Sequence, residues 1–232
     1  MAFWKKIEPR IGKLKNVAIE NNNESMVLSY ETTKESKITQ RVINLWLADS
    51  IVSYYKEQYL LKKLILPEVS NLSFEIIVKA LTVFDKASDV GIVLDKIKKT
   101  SEINIYSFYV FKMSDLRTKW QDVCDLFQVN LPVLANKGVM MELMRYLLIV
   151  TETSVSVVNL YQEDNFWILR GGKGQVLADP IPLKGNKSSI RVILELISLA
   201  PEQINIKFNE KLTPDLSLFL ENLFPSKVVY CT

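Results

Sequence analysis

The end of the chain alternates helical and strand patterns over short connections, and this alternation restricts the fold more than any other feature. A helix pattern at 190–199 is followed by a strand pattern at 203–208, a helix pattern at 215–223 and a strand pattern at 227–231. Two strands joined by one helix over short loops are expected to form a parallel pair with a right-handed crossover. Thr213 strengthens the prediction of the second helix, because its hydroxyl can cap the helix and a proline follows it.

Further strand patterns precede this unit. Residues 154–161 and 166–170 are rich in strand-forming side chains and flank an acidic turn at 163–165, which predicts a hairpin. The glycine-rich stretch 171–174 then turns the chain toward a strand at 175–178. With the parallel pair, these patterns predict a mixed sheet of about five strands. We therefore expect an α+β fold, in which a helical middle region packs with a C-terminal mixed sheet that contains a parallel βαβ unit.

The middle of the chain carries apolar side chains at the three- and four-residue spacing of helices. The predicted helices lie at 38–59, from Ser73 onward, at 92–99, from Ser114 onward and at 139–150, with Pro67 beyond the end of the first. The last of them contains Met140, Met141 and Met144, whose spacing favours core packing over an adaptable binding surface. The patterns divide the chain into three regions, which can also form one continuous domain: 1–36, 37–150 and 151–232.

The first region begins with a basic amphipathic segment. Its apolar residues recur at spacings of mostly three and four, and its contact candidates are Phe3, Trp4, Lys5, Lys6, Arg10 and Lys13. Aromatic side chains opposite lysines suit a helix that contacts a partner or lies on an anionic membrane surface. The same helix could instead cover the protein's own sheet. After it, apolar runs at 17–20 and 25–30 flank three asparagines and predict a second hairpin.

The chain has no histidine, and this excludes several kinds of site. Ser–His and Cys–His nucleophile pairs, HExxH zinc sites and histidine-ligated haem all require the imidazole ring. The two cysteines, Cys124 and Cys231, are too few for a four-cysteine zinc site or iron–sulfur cluster within one chain. They do not form a disulfide framework, so we expect a reducing compartment, although one disulfide between them stays open. No cofactor is expected.

The positive charge is concentrated at one end of the chain. The net charge is +3, and the first sixteen residues hold five basic residues against one acidic residue, so the rest of the chain sums to −1. A basic segment on a nearly neutral body differs from the basic face of nucleic-acid binders and argues against a nucleic-acid partner. The longest run without a charged residue is the eleven-residue stretch 126–136, whereas a membrane span needs about 20 apolar residues. No apolar stretch follows the N-terminal lysines as it would in a secretory signal, so we expect a cytoplasmic protein.

Several stretches resemble the YtxC-like sporulation protein family of spore-forming bacteria. The most specific are LELISLAP at 194–201, INIK at 204–207 and LENLFPSKVVYC at 220–231. They are similar to the closing pattern of the family, which runs through an apolar helix ending in Ala-Pro, a short strand, a helix ending in Phe and a strand ending in Cys. The stretches at 103–115 and 48–61 also resemble the family.

The resemblance covers roughly residues 37–231 of the chain, with two departures. The Cys-rich tail of the family is reduced here to Cys231 and Thr232, which removes any metal-binding role that the tail would imply. The Arg after the second Phe of the family is Lys112 in this chain. The family carries no catalytic residues that transfer to this sequence, so the resemblance implies a process, endospore formation, and no chemistry.

One glycine-rich stretch is a candidate for anion contact. Arg170, Gly172 and Lys173 lie where glycine backbones could form an anion nest. The stretch has neither the GxxxxGK[ST] spacing of a Walker loop nor the third glycine of a dinucleotide fingerprint. A turn between strands is therefore the favoured interpretation.

Other chemical motifs are incomplete. Ser53 and Lys56 fit the S-x-x-K pattern of penicillin-recognising enzymes, but the companion motifs are missing. The acidic pairs 163–164 and 122/125 fit a turn and a solvated helix face better than an acid–base pair, which needs two carboxyls with divergent pKa values.

These patterns favour a sporulation-associated protein that acts without catalysis, through contacts with an unidentified protein partner. Two alternatives stay open. One is a phosphate- or nucleotide-binding protein or an Mg²⁺-dependent enzyme, although the convergent acids that such a site needs are scattered in this sequence. The other is a factor attached to a membrane surface by its basic N-terminal helix.

Overall fold

The chain folds into two compact units that each draw on separated stretches of sequence. The computed structural model describes residues 17–21, 26–30, 34–67, 69–99, 103–184, 187–207 and 212–231. The first unit draws on Met1–Tyr59 and Lys86–Asp122, and the second on Leu60–Asp85 and Val123–Thr232. The predicted middle region thus supplies residues to both units, and the boundaries at 36 and 150 stay predictions.

The described residues form helices through the middle of the chain and strands toward its end. The helices are α1 (Lys34–Lys63), α2 (Asn71–Val83), α3 (Lys86–Ile97), α4 (Ile105–Lys112), α5 (Ser114–Val129), α6 (Leu131–Leu134), α7 (Lys137–Val150), α8 (Ser188–Leu199) and α9 (Pro214–Leu223). The strands are β1 (Val17–Asn21), β2 (Met26–Tyr30), β3 (Val155–Glu163), β4 (Phe166–Gly171), β5 (Ile181–Pro182), β6 (Pro201–Lys207) and β7 (Val228–Cys231). The α+β class is therefore confirmed. The predicted N-terminal helix lies outside the described residues.

The first unit contains the predicted N-terminal hairpin and a helical core. Strands β1 and β2 pair antiparallel, with Val17 opposite Tyr30. Helices α1, α3, α4 and α5 bury one shared apolar cluster, whose members are Ala48, Ile51, Val52, Val90, Val93, Ile97, Phe108, Met113, Leu116 and Trp120. Burial of this apolar surface, at roughly 25 cal/mol per Å², is the main force that holds the four helices together.

Several helices differ from the sequence-based expectation; α3, for example, begins at Lys86 and not at residue 92. Helix α2 begins at Asn71, because the Ser70 hydroxyl accepts a hydrogen bond from the Ser73 backbone nitrogen at 3.2 Å and caps the helix. Ser73, the predicted start of this helix, therefore lies inside its first turn. Helix α4 was not expected from the spacing, and it is capped by Asn104, whose side chain accepts from the Ser107 nitrogen at 2.9 Å.

The second unit is built on a five-stranded sheet in the order β5-β4-β3-β6-β7. Strand β4 pairs antiparallel with both β3 and β5, while β3–β6 and β6–β7 are parallel. Helix α9 connects β6 to β7, so the predicted parallel pair around a helix is confirmed. The side chain of Thr213 accepts from the Leu216 nitrogen and caps α9, as its position before Pro214 predicts.

One face of this sheet forms the core of the second unit. Its buried side chains are Val158, Leu160, Trp167, Leu169, Ile181, Ile204 and Ile206. Helix α8 packs against α9 and β5. Helix α2 packs against α8, helix α7 packs against α9, and α2 and α7 also contact each other. Met140 and Met144 are buried on α7, which confirms core packing for them, whereas Met141 is half-buried.

The expected strand at 175–178 is wrong. Only Val176 forms a bridge, to Arg170, before the chain leaves the sheet. The fifth strand is the two-residue β5, which pairs Ile181 with Trp167. Pro180, which has no backbone N–H to donate, separates the bridge from β5. No helix within the described ranges combines the length and apolar character that a membrane crossing demands.

The two cysteines should differ sharply in reactivity. Both are free thiols, with Cys124 fully buried on α5 and Cys231 half-buried on β7. Burial raises the pKa of the Cys124 thiol, and only the thiolate is nucleophilic. We expect a chromogenic disulfide reagent to titrate one thiol rapidly in the native chain and the second only after denaturation. In the Cys231→Ser variant the rapid phase should vanish, and two equally rapid thiols would contradict this placement of Cys124.

Candidate functional site

A buried carboxylate joins three helices of the first unit. Asp89, on α3, is fully buried and accepts hydrogen bonds on both of its oxygens. Its Oδ2 accepts from the Lys56 Nζ on α1 at 2.9 Å and from the Trp120 Nε1 on α5 at 3.0 Å. Its Oδ1 accepts from the Lys119 Nζ, also on α5, at 2.6 Å. We call Asp89, Lys56, Lys119 and Trp120 the Asp89 centre.

The charged groups of the Asp89 centre are hydrogen-bonded to one another. Asp89 lies in the first turn of α3, where the positive end of the helix dipole favours an acid. The side chain of Lys56 is only 6% exposed and that of Lys119 is 37% exposed, so water reaches the centre mainly at Lys119. The buried carboxylate therefore accepts from two cations and a neutral donor, which offsets the cost of placing a polar group in an apolar core.

These contacts and the burial of Asp89 favour a structural role for the centre over a catalytic one. A general base must come within hydrogen-bond reach of a substrate proton, directly or through one water. The Asp89 carboxylate already accepts three donors and has no exposed surface. The centre therefore fixes how α1, α3 and α5 pack and offers no vacant reactive group.

The two residues of the S-x-x-K motif, Ser53 and Lys56, bond to different partners in this structure. The Ser53 hydroxyl donates to the Asp49 carbonyl one turn earlier at 2.7 Å, and the Lys56 ammonium bonds to Asp89. Both groups thus have partners other than each other. Sequence reasoning singled out Lys56 for the wrong reason and missed Asp89, which looks like an ordinary first-turn acid.

The glycine-rich stretch forms a tight turn. The Gly171 nitrogen donates to the Gln175 carbonyl and the Gly174 nitrogen to the Gly171 carbonyl, both at 2.9 Å. Gly174 has a φ of +81°, a left-handed conformation that favours glycine. Gly172 and Lys173 are exposed at the tip of this turn. The favoured interpretation as a turn agrees with this geometry, and an anion contact at Arg170, Gly172 and Lys173 stays a hypothesis.

Arg170 belongs to a second group, on the side of the sheet opposite the core. Its Nη2 donates to Glu163 Oε2 at 2.8 Å, and its guanidinium lies 5.5 Å from the centre of the Tyr161 ring. The Lys207 ammonium lies 5.8 Å from the same ring. Tyr161 is thus flanked by two cations, one of which is neutralised by a carboxylate.

A row of amide side chains continues across the same side of the sheet. Gln203 Nε2 donates to Asn205 Oδ1 at 2.6 Å, and Asn205 Nδ2 donates to Asn159 Oδ1 at 3.0 Å. Asn159 Nδ2 in turn reaches the Gly171 carbonyl at 3.3 Å. The row therefore links β6, β3 and β4 through three consecutive hydrogen bonds, which polarise one another.

Register brings these groups onto one surface. Asn159 lies opposite Asn205 on β6 and Arg170 on β4, and Tyr161 lies opposite Lys207 and Ile168. Alternate residues of a strand share a face. We call this surface the open face, and its residues are Val157, Asn159, Tyr161, Ile168, Arg170, Gln203, Asn205 and Lys207. All but Asn159, which is 8% exposed, are half-buried or exposed.

The remaining sequence candidates do not converge on a site. Glu163 is paired with Arg170, and Asp164 lies in the turn with a φ of 47°. Asp122 and Asp125 are both exposed on α5. Within the described ranges, no group of three or more cysteine, aspartate or glutamate side chains is placed to hold a metal ion. The six N-terminal contact candidates, Phe3, Trp4, Lys5, Lys6, Arg10 and Lys13, lie outside the described residues.

Comparison with known proteins adds no assignment. No family model, no curated protein and no solved structure matches this chain.

Replacing Asp89 should destabilise the protein strongly. Asp89→Asn keeps the shape of the side chain but removes the negative charge that lies 2.9 Å from the buried Lys56 ammonium. We expect the free energy of unfolding to fall by about 3–5 kcal/mol, measured by urea denaturation. The matched control is Asp95→Asn on the same helix, whose side chain is 72% exposed and pairs only with the exposed Lys98 among the described residues. It should change stability by less than about 0.5 kcal/mol.

A double variant separates the charge from the packing. Lys56→Met combined with Asp89→Asn removes the buried cation together with the buried anion, so its loss should be clearly smaller than the sum of the two single losses. Additive losses, or a loss of less than about 1 kcal/mol for Asp89→Asn alone, would show that the Asp89 centre is not a coupled buried ion group.

Proposed function

We propose that this chain is a non-enzymatic binding protein that holds a protein partner on the open face of its sheet. The observation that carries the proposal is the connected set of polar side chains across β6, β3 and β4, on a surface that stays partly exposed. Asn159 is buried and needs protein partners in any case, but Gln203 and Asn205 are half-buried and could bond to water instead of to an ordered row. Here three amides are held in one arrangement before any partner binds.

The composition of the open face suits a protein partner. Tyr161 and Arg170 are of the residue types that dominate protein interfaces, and Val157 and Ile168 add apolar area between them. The amide row offers donors and acceptors of the kind that a peptide backbone or polar side chain can meet.

The charge on the open face also favours protein over nucleic acid. Glu163 neutralises Arg170 at 2.8 Å, which leaves Lys207 as the one unbalanced cation among the named residues of this face. A nucleic-acid surface needs several cations to neutralise phosphates. The structural observations therefore support the class of partner that the sequence favours.

The cellular setting is part of the proposal. We propose a cytoplasmic protein, because two free thiols and no disulfide suit a reducing compartment. Its role in endospore formation is proposed on the resemblance to YtxC-like proteins at 194–201, 204–207 and 220–231.

Photo-cross-linking in cells tests the binding surface. A photoreactive phenylalanine analogue replaces Val157 or Ile168 on the open face, or Leu218 as a control on α9 that is 56% exposed. Both open-face positions should yield the same discrete protein adduct, and Leu218 should not. A second substitution, Ile168→Lys, should remove the adduct formed at position 157, while Leu218→Lys should leave it intact. Equal adducts from all three positions, or none from the open face, would exclude this surface.

Gene deletion tests the process separately. In the source organism, loss of the chain should lower the frequency of heat-resistant spores without slowing vegetative growth. Restoring the native chain should recover that frequency. An unchanged spore count would remove the sporulation proposal and leave the binding surface untouched.

A further inference from the structure

A basic groove lies between α1 and α3 in the first unit and does not involve the open face. It has a volume of about 680 Å³, within the range of small-molecule sites. The residues that line it are Lys37, Gln40, Arg41, Asn44, Leu45, Leu94 and Lys98. We call it the basic groove.

Helix geometry places these side chains on facing stripes. The five residues from α1 are separated alternately by three positions and by one, so they lie on a single face of the helix. Leu94 lies on α3, and Lys98 follows one turn later, just after the end of that helix. Beneath them, Ala48 and Val93 belong to the shared apolar core, so the groove rests on packed helices. Its shape is therefore set by the fold and not by a loop.

The charge in the basic groove is unbalanced. Among the described residues that line it, three are cations and none is an acid. Among the described residues, no hydrogen bond or ion pair involves the side chain of Lys37 or Arg41, and the same holds for the amides of Gln40 and Asn44. Lys98 pairs with Asp95 at 3.0 Å, in an exposed i,i+3 contact that contributes little.

The position on α1 adds to this imbalance. Helix α1 begins at Lys34, so Lys37 lies in its first turn and Arg41 follows one turn later. The N-terminal end of a helix carries partial positive charge and favours acids or bound anions. Cations there are unfavourable for an isolated helix, and an anion bound between them would offset the repulsion.

We propose that the basic groove binds a phosphate group attached to a partly apolar molecule. Guanidinium, ammonium and amide groups are the donors that meet phosphate oxygens, and arginine does so in a bidentate manner. Leu94 and Leu45, the latter 46% exposed, provide apolar surface beside the cations. Such a phosphate belongs to a soluble phosphorylated small molecule or to a phospholipid headgroup, which share this chemistry.

Calorimetry and vesicle sedimentation distinguish the two sources. The soluble probe is inorganic pyrophosphate, and the membrane probes are vesicles of phosphatidylcholine with and without phosphatidylglycerol. Heat on pyrophosphate addition with no vesicle binding indicates the soluble ligand, whereas sedimentation with phosphatidylglycerol vesicles alone indicates the headgroup. Either affinity should fall as salt is raised. Binding of neither probe at low salt would overturn the proposal.

Matched variants assign the binding to the groove. Lys37→Gln with Arg41→Gln should weaken the observed affinity about tenfold or more, because two charge-assisted contacts are lost. The control, Lys62→Gln with Lys63→Gln, removes the same charge from the exposed C-terminal turn of α1 and should bind within about twofold of the native chain. Equal affinity for both double variants would place the anion elsewhere.

The same variants give a readout without ligand. Neutralising Lys37 and Arg41 should raise the thermal unfolding midpoint at low salt, since it removes repulsion at the positive end of α1, and the rise should shrink in 1 M NaCl. The control pair lies at the end where cations are favourable, so it should not raise the midpoint. A lowered midpoint for the groove variant would contradict the unbalanced charge on which the proposal rests.

Discussion

The Asp89 carboxylate is the group on which the packing of the first unit depends. It binds side chains that lie 33, 30 and 31 residues away along the chain, on α1 and α5. Removing a carboxylate and an ammonium from water costs several kcal/mol per ion, so the helices are held to positions that keep all three hydrogen bonds. Apolar contacts supply most of the stability of this core, but they tolerate small shifts that a buried ion group does not.

Sequence patterns predicted the elements of the fold better than its polar contacts. Helical spacing located α1, and the strand–helix–strand order predicted the parallel pair of β6 and β7, because periodicity reflects which face is buried. Helix α4 escaped prediction since its sequence, IYSFYVFK, is apolar nearly all round. Strand β5 has two residues, too few for a pattern. Asp89 could not be identified, because no local signal tells a buried acid with distant partners from a solvated one.

The candidate binding surfaces could also be predicted only in part from the sequence. Tyr161 and Arg170 lie in a predicted hairpin, but their shared face with Asn205 depends on the parallel register between β3 and β6, which the pattern of either strand alone does not give. The charged and amide groups of the three sites named above divide into two kinds. Those of the Asp89 centre are satisfied internally and fix the packing of helices. Those of the open face and the basic groove stay partly exposed, and this division is the physical basis for proposing binding over catalysis.

Hydrogen exchange at one indole tests that division most directly. The chain has four tryptophans, and the indole signal of Trp120 can be assigned with the Trp120→Phe variant. If the Asp89 centre is a closed structural group, the Nε1 hydrogen of Trp120 should exchange as slowly as the backbone amides buried in the core of the first unit. Exchange as fast as that of an exposed indole would show that the centre opens to solvent on its own, as a catalytic carboxylate must, and would contradict the account.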